Sequence, residues 1–342
     1  MDVRPRALAL RETISVCVQE TTHVSAARRV AAELAHRLDF DETVTGRVAL
    51  AATETATNLV KHAGRGEILI SGIEVGGRRF VELVALDRGP GMANVERCFE
   101  DGYSTAGSPG TGLGAVRRLA SAVDVYSRPG GTALLARVGP APMATAPRGI
   151  LVAGLSVPMS GEACCGDAWD EETHAGVVAL LVVDGLGHGA DAALAAQEGV
   201  RAFRRHPRAA PGARVEALHA ALRATRGAAV AVAEIDPGRR TLRFAGLGNI
   251  SAAVHGDGPV RHLVSNHGTA GHVARKIDEY TYPWPPRGVL VMHSDGVASL
   301  RDLGAYPGLF VRDPGLAAGV LYRDFSRRRD DATCVVARGL AA

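Results

Sequence analysis

The chain has 342 residues, of which 46% are hydrophobic and 22% are charged, and its formal net charge is +3. Because 39 basic residues are almost balanced by 36 acidic ones, a strongly basic nucleic-acid-binding protein is excluded as the default interpretation. The composition is typical of globular rather than disordered proteins, and the length predicts two domains.

Neither the cysteines nor the hydrophobic segments indicate a secreted or membrane protein. The five cysteines form no Cys-x-x-Cys pair, so no zinc site is expected. No apolar run reaches the roughly 20 residues that span a bilayer, and the first residues do not resemble a signal peptide. We therefore expect a cytoplasmic protein without a membrane partner.

The predicted elements of the first half alternate between helices and strands. A glycine-rich stretch precedes its last helix, which is expected to end near residue 123. The other predicted elements are a strand at 13–18, helices at 25–38 and 41–62, hairpin strands at 67–75 and 80–87, and strands at 124–127 and 132–138. This order predicts an antiparallel or mixed sheet with helices on one face.

Two motifs in this half are typical of a phosphate-bearing ligand held with a metal ion. Glu54 and Asn58 lie four residues apart and so project from one face of a helix. An amide such as Asn58 can hold Mg²⁺, and Glu54 can deprotonate an attacking hydroxyl group. A helix also begins in glycines whose amide groups suit phosphates, namely Gly110, Gly112 and Gly114.

Two further motifs, at strand ends, suit a flat base. Asp87 can accept a hydrogen bond from an adenine amino group, and Gly89 and Gly91 allow the backbone to approach the ring. Gly131 and Thr132 begin the last strand of this half. Each motif alone is weak evidence, but the four together in this order predict an ATP site.

Residues 10–138 resemble the GHKL ATPase and kinase superfamily, above all its anti-sigma-factor serine kinases. The resemblance implies that Asn58 holds Mg²⁺, that Glu54 is the catalytic base, that Asp87 binds adenine and that Thr132 lies near the adenine. It also implies a GHKL (Bergerat) α/β sandwich, and a phosphoacceptor serine or threonine on a small STAS-domain protein.

Two features indicate which members of this superfamily the first half resembles. The segment at residues 100–105 is similar to the RsbT-like stressosome switch kinases. A histidine kinase is less expected, because the segment before Glu54 is too short for a dimerising phosphoacceptor hairpin.

The boundary between the two halves is predicted at residues 139–149. This segment contains three prolines between two glycines and has no apolar periodicity, as is typical of a linker. The predicted domains are therefore residues 1–138 and 150–342, and each is expected to fold and act when separated.

Strands dominate the predictions for the second half. We predict strands at 150–158, 177–184, 228–235, 241–245, 250–255, 289–293 and 333–337, and helices at 190–205, 214–223 and 316–325. A strand-rich sequence with a helix pair between strands predicts a β-sandwich flanked by helices. The whole chain is thus expected to belong to the α+β class.

Aspartates beside glycines or at strand ends point to divalent metal ions in this half. Such carboxylates are hard oxygen ligands, which suit Mg²⁺ or Mn²⁺, and two ions can activate a water and clamp a phosphoryl group. The motifs contain Asp167, Asp184 with Gly185, Asp295 and the pair Asp330-Asp331. His188 is open to three interpretations: a metal ligand, a phosphate-facing side chain or a side chain that structures its loop.

Residues 149–338 resemble the SpoIIE group of PPM-type serine/threonine phosphatases, with RsbX-like length and a similar segment at 246–250. The resemblance implies an α-β-β-α sandwich and two Mn²⁺ or Mg²⁺ ions. Its metal ligands correspond to Asp167, Asp184, the Gly185 carbonyl, Asp295 and Asp330. Asp330 is preferred to Asp331 as the metal ligand, because the ligand is the first residue of the corresponding motif in the family.

Together the halves predict opposite chemistries on one chain. The hypothesis is a bifunctional partner-switching regulator whose ATP-dependent kinase and metal-dependent phosphatase act on a STAS-domain protein, with a sigma factor or another switch target as a further partner. The alternative is that the first half only sequesters its target in an ATP-dependent manner. In that case only the phosphatase would be catalytic.

Overall fold

The computed structural model describes residues 11–99, 112–143, 149–256 and 258–340, and the chain divides into two compact units. The first unit comprises Met1–Thr145 with Val311–Arg323, and the second comprises Ala146–Phe310 with Asp324–Ala342. The division after Thr145 lies inside the predicted linker. The return of Val311–Arg323 to the first unit differs from the linear division predicted from the sequence.

The first unit contains a five-stranded antiparallel sheet with the strand order β1-β2-β3-β5-β4. Its elements are β1 (Thr13–Val18), α1 (Thr21–Arg37), α2 (Glu42–Asn58), β2 (Gly66–Val75), β3 (Arg78–Asp87), α3 (Gly112–Leu119), β4 (Ala122–Arg128) and β5 (Gly131–Val138). The core between helices and sheet includes Ala31 and Leu34 of α1, Ala52 of α2 and Ile70 of β2. Alanines on the buried helix faces allow both helices to lie close to the sheet.

Two helix boundaries and the type of one helical turn differ from those predicted. Helix α1 starts at Thr21, four residues early, and α2 continues beyond Asn58 as a π-helical turn at Leu59–Ala63. The third helix stops at Leu119, because the next segment alternates apolar and polar residues and pairs with β5 as β4.

The second unit contains two five-stranded sheets, ordered β15-β10-β9-β8-β7 and β12-β11-β16-β17-β6, and the short pair β13-β14. Its elements are β6 (Ile150–Val157), β7 (Asp167–His174), β8 (Val177–Gly185), α4 (Ala190–Arg205), α5 (Pro211–Ala221), β9 (Ala228–Asp236), β10 (Thr241–Leu247), β11 (Ser251–His255), β12 (Arg261–His262), β13 (Gly268–Thr269), β14 (Val273–Ala274), β15 (Tyr280–Pro283), β16 (Val289–His293) and β17 (Ala332–Gly339). The predicted β-sandwich with flanking helices is confirmed.

Two apolar layers stabilise this unit. One includes Trp169, Leu180, Phe244 and Met292, which are contributed by both sheets. The other packs α4 and α5 against the first sheet. Strand β7 was not predicted, because its sequence is mostly polar and lacks the apolar alternation of a half-buried strand.

Helix α6 (Pro314–Phe325) includes most of the segment Val311–Arg323 and packs on the sheet of the first unit. A Cβ atom built on Gly319 would lie 2.7 Å from the Val84 side chain, and one built on Gly315 would lie 3.1 Å from Leu135. These two glycines, one helical turn apart, therefore let the helix backbone approach the strands closely. At its other end, the Tyr322 hydroxyl group donates to Glu67 at 2.9 Å.

A buried ion network holds the start of this segment. The Arg137 guanidinium group, 6% exposed, donates to Glu82 at 2.7 Å and to both carboxylate oxygens of Asp313 at 2.6 and 2.7 Å. Burial raises the pKa of Glu82, although Arg137 opposes that shift. Without Arg137, both acidic groups would lose the cation that neutralises them.

We expect Arg137→Ala to lower the free energy of unfolding of the first unit by about 3–5 kcal/mol, since breaking a buried pair leaves an uncompensated charge. Chemical denaturation of the full chain measures this loss. The matched control is Arg79→Ala, which removes an exposed pair with Asp39 and should cost no more than about 1 kcal/mol. Similar small losses in both variants would contradict the assigned role of the network.

Candidate active sites

Asp87, the last residue of β3, forms the centre of the proposed nucleotide corner. Its Oδ1 atom accepts hydrogen bonds from the backbone N–H groups of Gly89 and Thr132, at 2.8 and 3.0 Å. These bonds fix the direction of the carboxylate. Among the described residues, no donor engages the other oxygen, Oδ2, so that atom can accept a hydrogen bond from a ligand.

The backbone around Asp87 is tightly packed. Gly91 has a φ of +81°, and a Cβ atom there would collide with the backbone of Arg128. A Cβ atom on Gly89 would lie 3.1 Å from that of Ala63. The Thr132 hydroxyl is 2.9 Å from the Ser127 hydroxyl. Glycine is therefore required at Gly91 for a steric reason, independently of a ligand.

Asn58 lies where α2 changes into its π-helical turn. Its Nδ2 atom is buried and has no hydrogen-bond partner among the described residues. A Cβ atom built on Gly112, the first residue of α3, would lie 2.7 Å from the Asn58 Oδ1 atom. An unpaired buried amide is costly in a folded protein, so its presence fits a group that a ligand completes.

The remaining predicted residues of this site are distributed as follows. Glu54 is half-buried one turn before Asn58 on α2, and Gly114 is buried within α3. Gly110 and the segment at 100–105 lie outside the described residues. The structure thus joins Asn58 to Gly112 and Asp87 to Thr132, which fits an ATP molecule whose phosphates are held with Mg²⁺.

Asp167 and Asp184 face each other in the second unit, as direct partners on the antiparallel strands β7 and β8. Burial, and then the charge of Asp184, raise the pKa of Asp167 well above its ordinary value. The Ser294 hydroxyl donates to the Asp167 Oδ2 atom at 2.6 Å. Like charges placed opposite each other destabilise a sheet, so this pair favours a bound cation.

Two other strands bring further carboxylates to the same region. Burial, and then the neighbouring Asp295, Asp330 and Asp331, raise the pKa of Asp184 to about 7. Asp295 follows β16, and its Oδ2 atom accepts from the Asn249 amide at 2.7 Å. The predicted aspartates therefore share one concentration of negative charge.

Asp330 and Asp331 have different surroundings. Asp331 is 2% exposed, and its two carboxylate oxygens accept from the backbone N–H groups of Met159 and Gly166, each at 2.7 Å. Asp330 is exposed and accepts from the N–H group of Asp331 at 2.9 Å. The second aspartate thus holds the chain next to Asp167, and the first has capacity for a metal ion.

The oxygen atoms of these aspartates suit divalent ions that keep part of their water shell, rather than a site in which the protein supplies every ligand. Within the described residues, no group of three or more histidine, cysteine or acidic side chains forms a ready-made metal site. Mg²⁺ keeps several water ligands and needs few carboxylates, so oxygen donors spaced around it suffice. Gly185 follows Asp184 directly and its N–H group donates to the Gly166 carbonyl at 3.0 Å.

Several functional side chains were missed by sequence reasoning. Asn249, Ser294 and Thr333 donate hydrogen bonds to predicted ligands. Asn249 donates to Asp295, Ser294 and Thr333 donate to Asp167, and the Thr333 N–H group donates to Ser294. Their signal was adjacency to motifs already noted. His188 makes a 2.7 Å contact with Glu162, which favours a role in structuring its loop.

Two family models match the chain: the histidine kinase-like ATPase domain over residues 17–138 and stage II sporulation protein E (SpoIIE) over residues 174–338. The protein therefore combines a GHKL-type ATPase domain with a SpoIIE-type, PP2C-like domain, as the sequence predicted. No helix within the described residues is long and apolar enough to cross a membrane.

A curated relative identifies the first domain more closely. Serine/threonine-protein kinase RsbT of Bacillus subtilis (strain 168) is 35% identical over 105 residues, which are 30% of this chain and 79% of that protein. The chain belongs to the family of this kinase.

Two solved structures are similar to this chain. One, from work titled "The bacterial stressosome: a modular system that has been adapted to control secondary messenger signaling", is 25% identical with a TM-score of 0.53, covering 55% of this chain and 99% of the other. The other, RsbX in complex with magnesium, is 18% identical with a TM-score of 0.51, covering 57% and 97%. The second likeness concerns the fold alone.

Proposed function

We propose that the protein is a bifunctional partner-switching regulator. Its first domain is an ATP-dependent protein serine/threonine kinase, and its second is a Mn²⁺- or Mg²⁺-dependent phosphoprotein phosphatase. Both act on a STAS-domain protein. The observation that supports this proposal is the presence, in one chain, of two domains. The RsbT-like domain holds the Asp87 carboxylate by two backbone N–H groups, and the SpoIIE-type domain clusters its carboxylates.

In the kinase reaction, the chain's residues position ATP and remove one proton. Asp87 accepts a hydrogen bond from the adenine amino group, while Gly112 and Gly114, at the start of α3, present N–H groups to the phosphates. Asn58 would hold Mg²⁺, which would neutralise phosphate charge when bound. Glu54 takes the proton of the partner's hydroxyl group while that oxygen bonds to the γ-phosphorus, and the bond between the β- and γ-phosphates breaks to release ADP.

In the phosphatase reaction, two divalent ions would be held by Asp167, Asp184, the Gly185 carbonyl, Asp295 and Asp330. The ions, when bound, supply an activated water and neutralise the phosphoryl group. Ser294, Thr333 and Asn249 orient the ligands through the hydrogen bonds described above, and Asp331 fixes the chain beside Asp167.

The alternative function for the first domain is sequestration without turnover. An ATP-dependent binding module would need the Asp87 corner and Asn58 but not the base Glu54. In that case the phosphatase would be the only catalyst.

Transfer and release of labelled phosphate distinguish the two functions. A purified STAS-domain protein is incubated with the Asp184→Asn chain and γ-labelled ATP in Mg²⁺, and then, after ATP is removed, with the wild-type chain and Mn²⁺. We expect the partner to gain the label first and to lose it in the second step. A partner that binds tightly but is never labelled, even when the phosphatase is inactivated, supports sequestration instead.

A further inference from the structure

The segment Val311–Arg323 ends at the nucleotide corner of the first unit. The side chain of its last residue, Arg323, is 3% exposed, and its Nη1 atom donates to the backbone carbonyl oxygen of Asp87 at 3.0 Å. The Arg323 carbonyl in turn accepts from the guanidinium group of Arg88. A residue 236 positions along the chain therefore holds the peptide that follows Asp87.

The same guanidinium group lies against the other side of the corner. Gly131 has a φ of +151°, and a Cβ atom there would lie 2.6 Å from the Arg323 Nη1 atom. The next residue, Thr132, donates its N–H group to the Asp87 carboxylate. Arg323 thus contacts both backbone strands whose relative position sets the direction of that carboxylate.

We infer that Arg323 is a positioning residue of the ATP site, so that a segment distant in sequence completes adenine recognition. This inference rests on the proposed nucleotide site. The Asp87 peptide and side chain share one Cα atom, so a rotated peptide would turn the carboxylate away from the adenine amino group. Hydrogen bonds weaken steeply with distance and angle, so even a small rotation reduces affinity.

The segment has other anchors that do not involve Arg323. Asp313 binds Arg137 at the far end of α6, Gly315 and Gly319 pack against the sheet, and Tyr322 binds Glu67. The helix can therefore stay in place when Arg323 is changed. An effect on nucleotide recognition can then be separated from an effect on folding.

Binding of two diphosphates to the full chain tests the inference. ADP carries the 6-amino group that Asp87 accepts from, and IDP carries an oxygen there. We expect the wild type to bind ADP more tightly than IDP. In Arg323→Ala, calorimetry should show about a tenfold loss of ADP affinity and a smaller loss of IDP affinity, so that the preference for ADP decreases. Arg323→Lys, which keeps a cationic donor, should restore much of it.

A double-mutant cycle shows whether Arg323 acts through Asp87. If it does, Arg323→Ala weakens ADP binding little further in a chain that already carries Asp87→Asn, because the contact being positioned is gone. Fully additive losses would overturn the inference. The inference would also be overturned if Arg323→Ala kept the wild-type ratio of ADP affinity to IDP affinity and had a lower melting temperature, because a purely structural role gives that result.

Controls keep the outcomes distinct. Arg312→Ala removes a half-exposed side chain of the same segment, paired with Asp124, and should leave both affinities unchanged. Where Arg323→Ala does not fold, Arg323→Gln serves instead and is expected to lose several-fold in ADP preference; no loss overturns the inference. If the wild type binds ADP and IDP equally, the assignment of Asp87 to adenine is refuted. If the preference for ADP is lost in Asp87→Asn but kept in Arg323→Ala, only the positioning role of Arg323 is refuted.

Discussion

Asp184→Asn is expected to abolish phosphoprotein hydrolysis and, at the same time, to stabilise the metal-free protein. Loss of residues that merely orient a ligand typically costs about 10–100-fold, so loss of a ligand should exceed about 100-fold. In the metal-free protein Asp184 faces Asp167 and lies near Asp295, so removing its charge relieves repulsion. Mn²⁺-dependent hydrolysis and the melting temperature measured without metal test both statements.

The matched control is Asp191→Asn, an exposed aspartate in the first turn of α4. It should keep full hydrolysis and gain no stability. Asp295→Asn should behave like Asp184→Asn in hydrolysis. Hydrolysis that persists in EDTA, or in the Asp184→Asn variant, would refute the two-metal assignment.

Glu54→Ala is expected to slow phosphate transfer to the STAS-domain partner by about 10²–10⁴-fold, the usual loss for a general base. Affinity for ATP should hardly change, because the proposed contact to the adenine ring is made by Asp87 and the proposed contact to Mg²⁺ by Asn58. The assay uses a chain that also carries Asp184→Asn, so that dephosphorylation cannot hide the labelled product.

Glu42→Ala, at the exposed start of the same helix, is the control and should retain transfer. If the Asp184→Asn chain binds the partner tightly but never labels it, the first domain sequesters its target. Undiminished transfer by Glu54→Ala would show that another group removes the proton.

Most strands were predicted from local sequence patterns, because apolar and polar residues alternate along the strand or the strand is apolar throughout. The β2–β3 hairpin and the buried strands β8, β9 and β16 carry that signal. Strand β7 does not, because its Asp167–His174 sequence is rich in acidic residues that serve the carboxylate cluster or ion pairs. Its place follows from pairing with β8 across the two-residue turn Ala175-Gly176, and not from an apolar pattern of its own.

Motifs identified the candidate ligands but not the groups that orient them. Asp167, Asp184 and Asp295 stand out beside glycine or at strand ends, whereas Ser294 and Asn249 acquire their roles only when distant strands meet. The α6 sequence likewise predicts a helix near 316–325 without revealing which sheet it covers. That choice depends on Gly315 and Gly319 fitting the strand surface, a three-dimensional property.

The return of Val311–Arg323 to the first unit also sets the order in which a newly made chain can finish folding. When residue 145 has been synthesised, Val84, Leu86 and Leu135 still lack the helix that packs on them. Another 165 residues, from 146 to 310, must be added before that segment begins. At roughly 5–20 residues per second this takes about 8–33 seconds, during which an apolar sheet face is open to chaperones on the ribosome.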